Sequence, residues 1–223
     1  DRLRSRGLGD VYKRQDMLLF DCGDISQGTP YYNMFQGEVE VKMMNEMKYD
    51  AMTIGNHEFD FDLDNMARLF RMADFPVVCA NYDVSATVLK DLVKPYVVFE
   101  RDGVKIGVLG LGCQLEGMVQ ANKCVGVVYN DPVTVANEVA AVLKEKEGCD
   151  VVVCLSHLGV QYDENQLIPK TRNIDVVLGG HSHTFMKGPK TLLNMDGKNV
   201  SLMHTGKSGI YVGQMDLTLE KKK

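Results

Sequence analysis

Five histidines occur in the 223 residues, and four of them stand just past apolar, strand-like runs, beside glycine, asparagine or aspartate. His57 lies in GNHEFD (55–60), His157 in SHLG (156–159), and His181 and His183 in GGHSHT (179–184), while His204 falls within a later apolar run. A single histidine is more often a hydrogen-bonded structural residue than a ligand, but four at strand ends with Asp and Asn companions call for another explanation. Imidazole, carboxylate and amide oxygen without clustered thiolates form a mixed N/O donor set that suits Zn, Mn, Fe or Co in a reactive site. A carboxylate such as Asp24, in the Gly-Asp pair at 23–24, can bridge two cations. Two cations about 3.5–4 Å apart can clamp a phosphoryl group and bring the pKa of a shared water toward neutrality. The glycines at 23, 55, 179 and 180 let the chain turn sharply and let ions approach the backbone.

Such residues need a scaffold that gathers them. Strand-like and helix-like segments alternate along the chain, the pattern of an α/β fold. Apolar runs at 17–21, 50–54, 151–155 and 174–180 end just before the candidate residues, where open α/β sheets place their ligands. Periodicity predicts a helix over 38–48 with Val39, Met43 and Met47 on one face, and a second helix marked by Leu63, Met66 and Phe70. A third runs from Pro132 to Lys146, with proline in its first turn and Val135, Val139 and Val142 on one face. The Gly/Pro-punctuated stretch 23–30 reads as a loop, and Asp102-Gly103 as a hairpin turn. NVSLMHTG (199–206) and IYVGQMDLTL (210–219) read as two final strands.

Composition narrows the classes. Hydrophobic content of 45% and charged content of 25% are those of an ordinary folded protein. No apolar run approaches the roughly eighteen residues needed to cross a bilayer. The segment SRGLGDVYKRQ (5–15) reads as the translation of a sequencing-library adapter, so residues 1–15 are expected to be non-native. They carry five basic and two acidic side chains, and that net +3 within the total of −5 leaves −8 for residues 16–223. So acidic a remainder argues against nucleic-acid binding and, for a phosphate-handling protein, in favour of metal ions as local positive charge. The six cysteines (Cys22, Cys79, Cys113, Cys124, Cys149, Cys154) form no CxxC pair, and Cys22, Cys79 and Cys154 read as small core residues.

The blocks GD (23–24) with QG (27–28), GNHEFD, SHLG and GGHSHT resemble those of the calcineurin-like metallophosphoesterases. GNHEFD and the spacing of the later histidines are similar to the 5′-nucleotidase and 2′,3′-cyclic-nucleotide phosphodiesterase branch. Metallo-β-lactamases share HxH but follow it with a DH pair, whereas Thr184 and Phe185 follow here. The resemblance implies a metallophosphatase-like β-sandwich of two mixed sheets flanked by helices, extending over residues 16–223 as a partial catalytic domain. The family's first strand, which ends in an Asp-x-His motif, is expected to be missing, since neither Asp10 nor Asp16 has a histidine two residues on. A C-terminal nucleotide-binding domain is likewise expected to be absent, and the chain on its own to be impaired.

Carried over residue by residue, the resemblance makes Asp24 the carboxylate that bridges two divalent metal ions. Asn56, His157 and His181 would complete one metal's shell and His183 would help to hold the other. His57, oriented by Asp60, would protonate the leaving oxygen or stabilise charge on the phosphoryl group. Asn81 stands either near the substrate or as a turn residue at a strand end. The implied reaction is hydrolysis of a small-molecule phosphate ester, by resemblance a nucleotide, by a hydroxide activated between the metals. Two alternatives stay open: a catalytically silent metal-binding α/β fragment, and a general phosphodiesterase with no preference for nucleotides. The resemblance points to an exported or wall-attached protein, and the free cysteines lean the other way.

Overall fold

The structure, a computed structural model, describes residues 17–219. Residues 1–15, with Asp10, and Asp16 lie outside them. The first strands are β1 (Phe20–Asp21), β2 (Ala51–Met52), β3 (Val77–Val78), β4 (Tyr82–Asp83), β5 (Val93–Lys94) and β6 (Tyr96–Arg101). The others are β7 (Val104–Leu111), β8 (Val128–Tyr129), β9 (Val151–Ser156), β10 (Val176–Gly179), β11 (Lys190–Leu193) and β12 (Asn199–His204). The helices are α1 (Pro30–Phe35), α2 (Glu38–Met47), α3 (Leu63–Met72) and α4 (Pro132–Glu145). A last helical stretch, α5, joins Val160–Tyr162, a π-helical Asp163–Leu167 and Ile168–Lys170.

Two sheets form the sandwich, with a small antiparallel ribbon of β4 and β8 beside them. The larger sheet, in the order β11-β12-β10-β9-β7-β6, is mixed: β7, β9, β10 and β12 run parallel, with β6 and β11 antiparallel at its edges. The smaller sheet, β1-β2-β3-β5, was expected to be mixed and is parallel throughout its paired strands. All six residues of β9 are buried, as a central parallel strand with covered faces demands. Between the sheets lie Ala51, Val78, Val108, Val153, Leu155 and Val176. Helices α2 and α3 cover the outside of the smaller sheet through Val41, Met44, Met66 and Phe70. Helices α4 and α5 cover the larger one through Ala136, Ala140, Leu143, Leu167 and Ile168. Truncating the fully buried Met66 to alanine would cost about 2–5 kcal/mol.

Several sequence expectations need correction. The stretch read as a loop gives way at Pro30 to α1, whose N-cap Thr29 accepts the N–H of Tyr32 and whose proline sits where no N–H is needed. In α2 the buried face is Val41 and Met44, while Met43 and Met47 are exposed, because apolar residues occupy both sides of this helix. In α4 the buried face is Pro132, Ala136, Ala140 and Leu143, so the small alanines lie against the sheet and the valines lie to the side. Residues 210–219 form no strand. No described strand pairs with them, and Ile210, Tyr211, Val212, Leu217 and Leu219 are exposed. Among the described residues, no helix is long and apolar enough to cross a membrane.

Candidate metal centre

Strands β1, β2, β9 and β10 all point their C-terminal ends at one place. Asp24, directly after Gly23 beyond β1, has φ of 63°, and the two later residues His181 (69°) and His183 (55°) share this left-handed conformation. Non-glycine residues are held in this region only where the surrounding structure over-determines them, commonly at functional sites. Gly55 has a clear steric reason: a Cβ there would overlap the Asp24 carboxylate and lie 2.7 Å from His157 Cε1.

The ligand atoms of Asp24, His157 and His181 all lie within 4.8 Å of one another. His157 is fully buried. Its Nδ1–H donates to the Cys22 carbonyl at 2.5 Å, which leaves Nε2 facing Asp24 Oδ2 at 3.0 Å. That approach lacks hydrogen-bonding geometry, so Nε2 is a buried nitrogen with no hydrogen-bond partner. A ring nitrogen set against a carboxylate oxygen without a hydrogen bond is an arrangement that a bound cation would reconcile, and a backbone carbonyl fixing the ring's other nitrogen is the usual second support of a metal-binding histidine. Asn56 Oδ1 lies 3.1 Å from His181 Nδ1, which brings the amide to the same cluster. The rings of His157 and His181 are 5.0 Å apart. The donor set therefore fits a divalent cation of the N/O-binding type.

Electrostatics follow from this crowding. Burial works against the charge on Asp24, but His157 and the His57 N–H, which donates to Oδ1 at 2.8 Å, outweigh it and hold the carboxyl below its ordinary value. Burial likewise pulls His157 down, but the Asp24 carboxylate more than offsets it and the imidazole lies above its ordinary value. Burial, and then the neighbouring His157, lower His181.

His57 and Asp60 sit beside the cluster and not within it. The Nδ1 of His57 lies 2.9 Å from Asp60 Oδ2, and the Tyr32 hydroxyl donates to that same oxygen at 2.9 Å. The imidazole side chain is about a third exposed, so it can meet a bound molecule. His183 is exposed and does not join the cluster of Asp24, His157 and His181. Asn81 is buried and clamps Gly112, donating to its carbonyl and accepting its N–H, as a structural residue does.

Glu58 was not singled out from the sequence, although it lies inside GNHEFD. Its carboxylate accepts the N–H groups of Asp24, Ile25 and Gly55 at 3.0, 2.9 and 2.5 Å, tying the first two site loops together. Burial, and then the Asp24 charge, push it up to about 7.

Comparison with known proteins decides the family. The family model of the calcineurin-like phosphoesterases matches residues 5–185. The chain belongs to the calcineurin-like phosphoesterase family. It is 30% identical over 237 residues to the trifunctional nucleotide phosphoesterase YfkN of Bacillus subtilis, covering 92% of this chain and 16% of that protein. It is 34% identical over 188 residues to a 5′-nucleotidase of Vibrio cholerae, covering 78% of this chain and 34% of that one. The solved structure of a 5′-nucleotidase precursor from Thermus thermophilus superposes with a TM-score of 0.81 at 32% identity, over 88% of this chain and 41% of that one. This phosphoesterase chain thus spans well under half the length of each of these relatives.

Proposed function

We propose that this chain hydrolyses phosphate esters with a divalent-metal centre held by Asp24, Asn56, His157 and His181, and that nucleotides are its substrates. The observation that carries the reading is the buried, unpartnered His157 Nε2 facing Asp24 Oδ2 at 3.0 Å, with His181 in the same cluster. Divalent ions bound there would supply Lewis acidity to the phosphoryl oxygens and to a water. On this reading Asp24 would help to hold both ions of a pair, and His183, exposed outside the cluster, would help to hold the second.

The chain's own groups do the rest. His57 stands beside the cluster with its ring held by Asp60, so its free nitrogen is available to donate a proton to the departing oxygen. Asp60 fixes the ring orientation, and Tyr32 holds Asp60 in place. Glu58 keeps the loops of Asp24 and Asn56 in register. The nucleotide assignment rests on the relatives, whose names include 5′-nucleotidase and nucleotide phosphoesterase.

The test is hydrolysis of adenosine 5′-monophosphate and of bis(p-nitrophenyl) phosphate by the purified chain in Mn²⁺ and in EDTA. Metal-dependent turnover of the nucleotide supports the full reading. Turnover of the diester alone replaces the nucleotide assignment with a general phosphodiesterase. Binding of Mn²⁺ without turnover of either ester favours the catalytically silent fragment.

A further inference from the structure

His204, a histidine outside the metal cluster, is joined to the His157 loop by buried polar side chains and to the His181 loop through backbone hydrogen bonds. Its Nε2–H donates to Asp163 Oδ2 at 2.9 Å, and Asp163 Oδ1 accepts the Ser156 hydroxyl at 2.5 Å. Ser156 and Asp163 are fully buried and His204 is 2% exposed. The Ser156 oxygen also accepts the N–H of Leu158 at 3.2 Å, so the hydroxyl of one neighbour of His157 holds the backbone of the other. The Ser156 carbonyl accepts the N–H of Gly180 at 2.9 Å, which ties this loop to the one carrying His181. On the far side, the His204 carbonyl accepts the N–H of Met186 at 3.1 Å, just beyond GGHSHT.

Gly179 shows how closely this brace fits beneath the second loop. A Cβ there would overlap the His204 ring and lie 2.8 Å from Asp163 Oδ2. Asp163 is also the first residue of the π-helical turn in α5, a distortion that recurs at functional sites. Stability is a poor explanation for the pair. Apolar residues of similar volume often serve as well as a buried carboxylate and its partner. Here His204 Nδ1 is left buried with no hydrogen-bond partner, which is a further cost.

We propose that Asp163 and His204 are positioning residues of the metal centre. Through Ser156 and Gly179 they hold the His157 and His181 loops in the geometry that binds a divalent cation. The inference rests on the metal reading above. Neither residue touches the cluster; both act on it through the backbone that carries the ligands. Loss of such outer supports typically lowers metal affinity about 10–100-fold.

The experiment is calorimetric titration of the full chain with Mn²⁺, paired with the melting temperature of each protein in EDTA. Asp163→Ala, still folded at the titration temperature, is expected to bind Mn²⁺ about 10–100-fold more weakly than wild type. His204→Gln keeps an N–H donor toward Asp163 and is expected to stay within about threefold of wild type, whereas His204→Ala falls with Asp163→Ala. Folded Asp163→Ala or His204→Ala that binds like wild type would overturn the proposal, leaving the pair a structural contact. Where those variants fail to fold, Ser156→Ala removes only the hydroxyl. A loss of about fivefold or more there supports the proposal, and unchanged affinity overturns it. Wild type that does not bind Mn²⁺ refutes the metal reading itself, a result distinct from equal binding by wild type and variants.

Discussion

His157 and Asp24 face each other at the joint of the two sheets, Nε2 3.0 Å from Oδ2, with the opposite ring nitrogen committed to the Cys22 carbonyl. One nitrogen is anchored and the other is aimed. His157→Ala removes the aimed one and is expected to weaken Mn²⁺ binding by at least about 100-fold, more than the loss of an outer support would. Equilibrium dialysis followed by elemental analysis measures it.

Asp60 touches His57 and not the cluster. Asp60→Ala is therefore expected to lower kcat about 100-fold while Mn²⁺ affinity stays within a few-fold of wild type. Steady-state kinetics on bis(p-nitrophenyl) phosphate, alongside the titration, separates the two effects. A parallel fall in both would make Asp60 part of the metal site.

Two carboxyls raised on folding couple the stability of the metal-free protein to pH. Burial raises Glu58 from 4.5 to about 7, and burial raises Asp21 from 3.8 to about 6. A carboxyl raised on folding contributes stability that is fully present below its unfolded value and is lost as pH rises through its folded value. These two carboxyls are thus expected to make the melting temperature in EDTA fall between about pH 4.5 and pH 7. His157, raised, adds to the fall above its ordinary value, and His181, lowered, opposes it below that value. Glu58→Gln should flatten that fall, as read by thermal denaturation at several pH values. A wild-type melting temperature that climbs across this window contradicts the assignment.

Asn81 is expected to matter for folding only. Its two bonds to Gly112 are buried, so Asn81→Ala should destabilise by about 1–3 kcal/mol in urea denaturation. Turnover per folded molecule should change less than about threefold, because the side chain is buried and its amide is spent on Gly112.

The part of the site that was legible in the sequence sits directly after buried strands. Asp24, Asn56, His157 and His181 each follow an apolar run, and parallel strands bring their C-terminal ends together whatever their order in the chain. Glu58 was not legible in the same way, because its work is to satisfy three backbone N–H groups, a role that leaves no mark in spacing. Asp163 and His204 meet only because β12 pairs beside β10 while α5 folds over β9, a relationship between distant segments. Helix faces were misread for a simpler reason. In α2, methionine and valine occur on both sides, and in α4 alanine, too small to stand out, forms the buried stripe. The tail 210–219 alternates like a strand but pairs with no described strand.

The most direct measurement is the metal content of the purified chain and of His157→Ala after equilibrium dialysis against Mn²⁺, with folding checked by circular dichroism. At least one tightly held ion per wild-type chain, and its loss from folded His157→Ala, is the result predicted here. Wild type without metal, or a folded variant that keeps the ion, would contradict the assignment of Asp24, His157 and His181 as a metal centre.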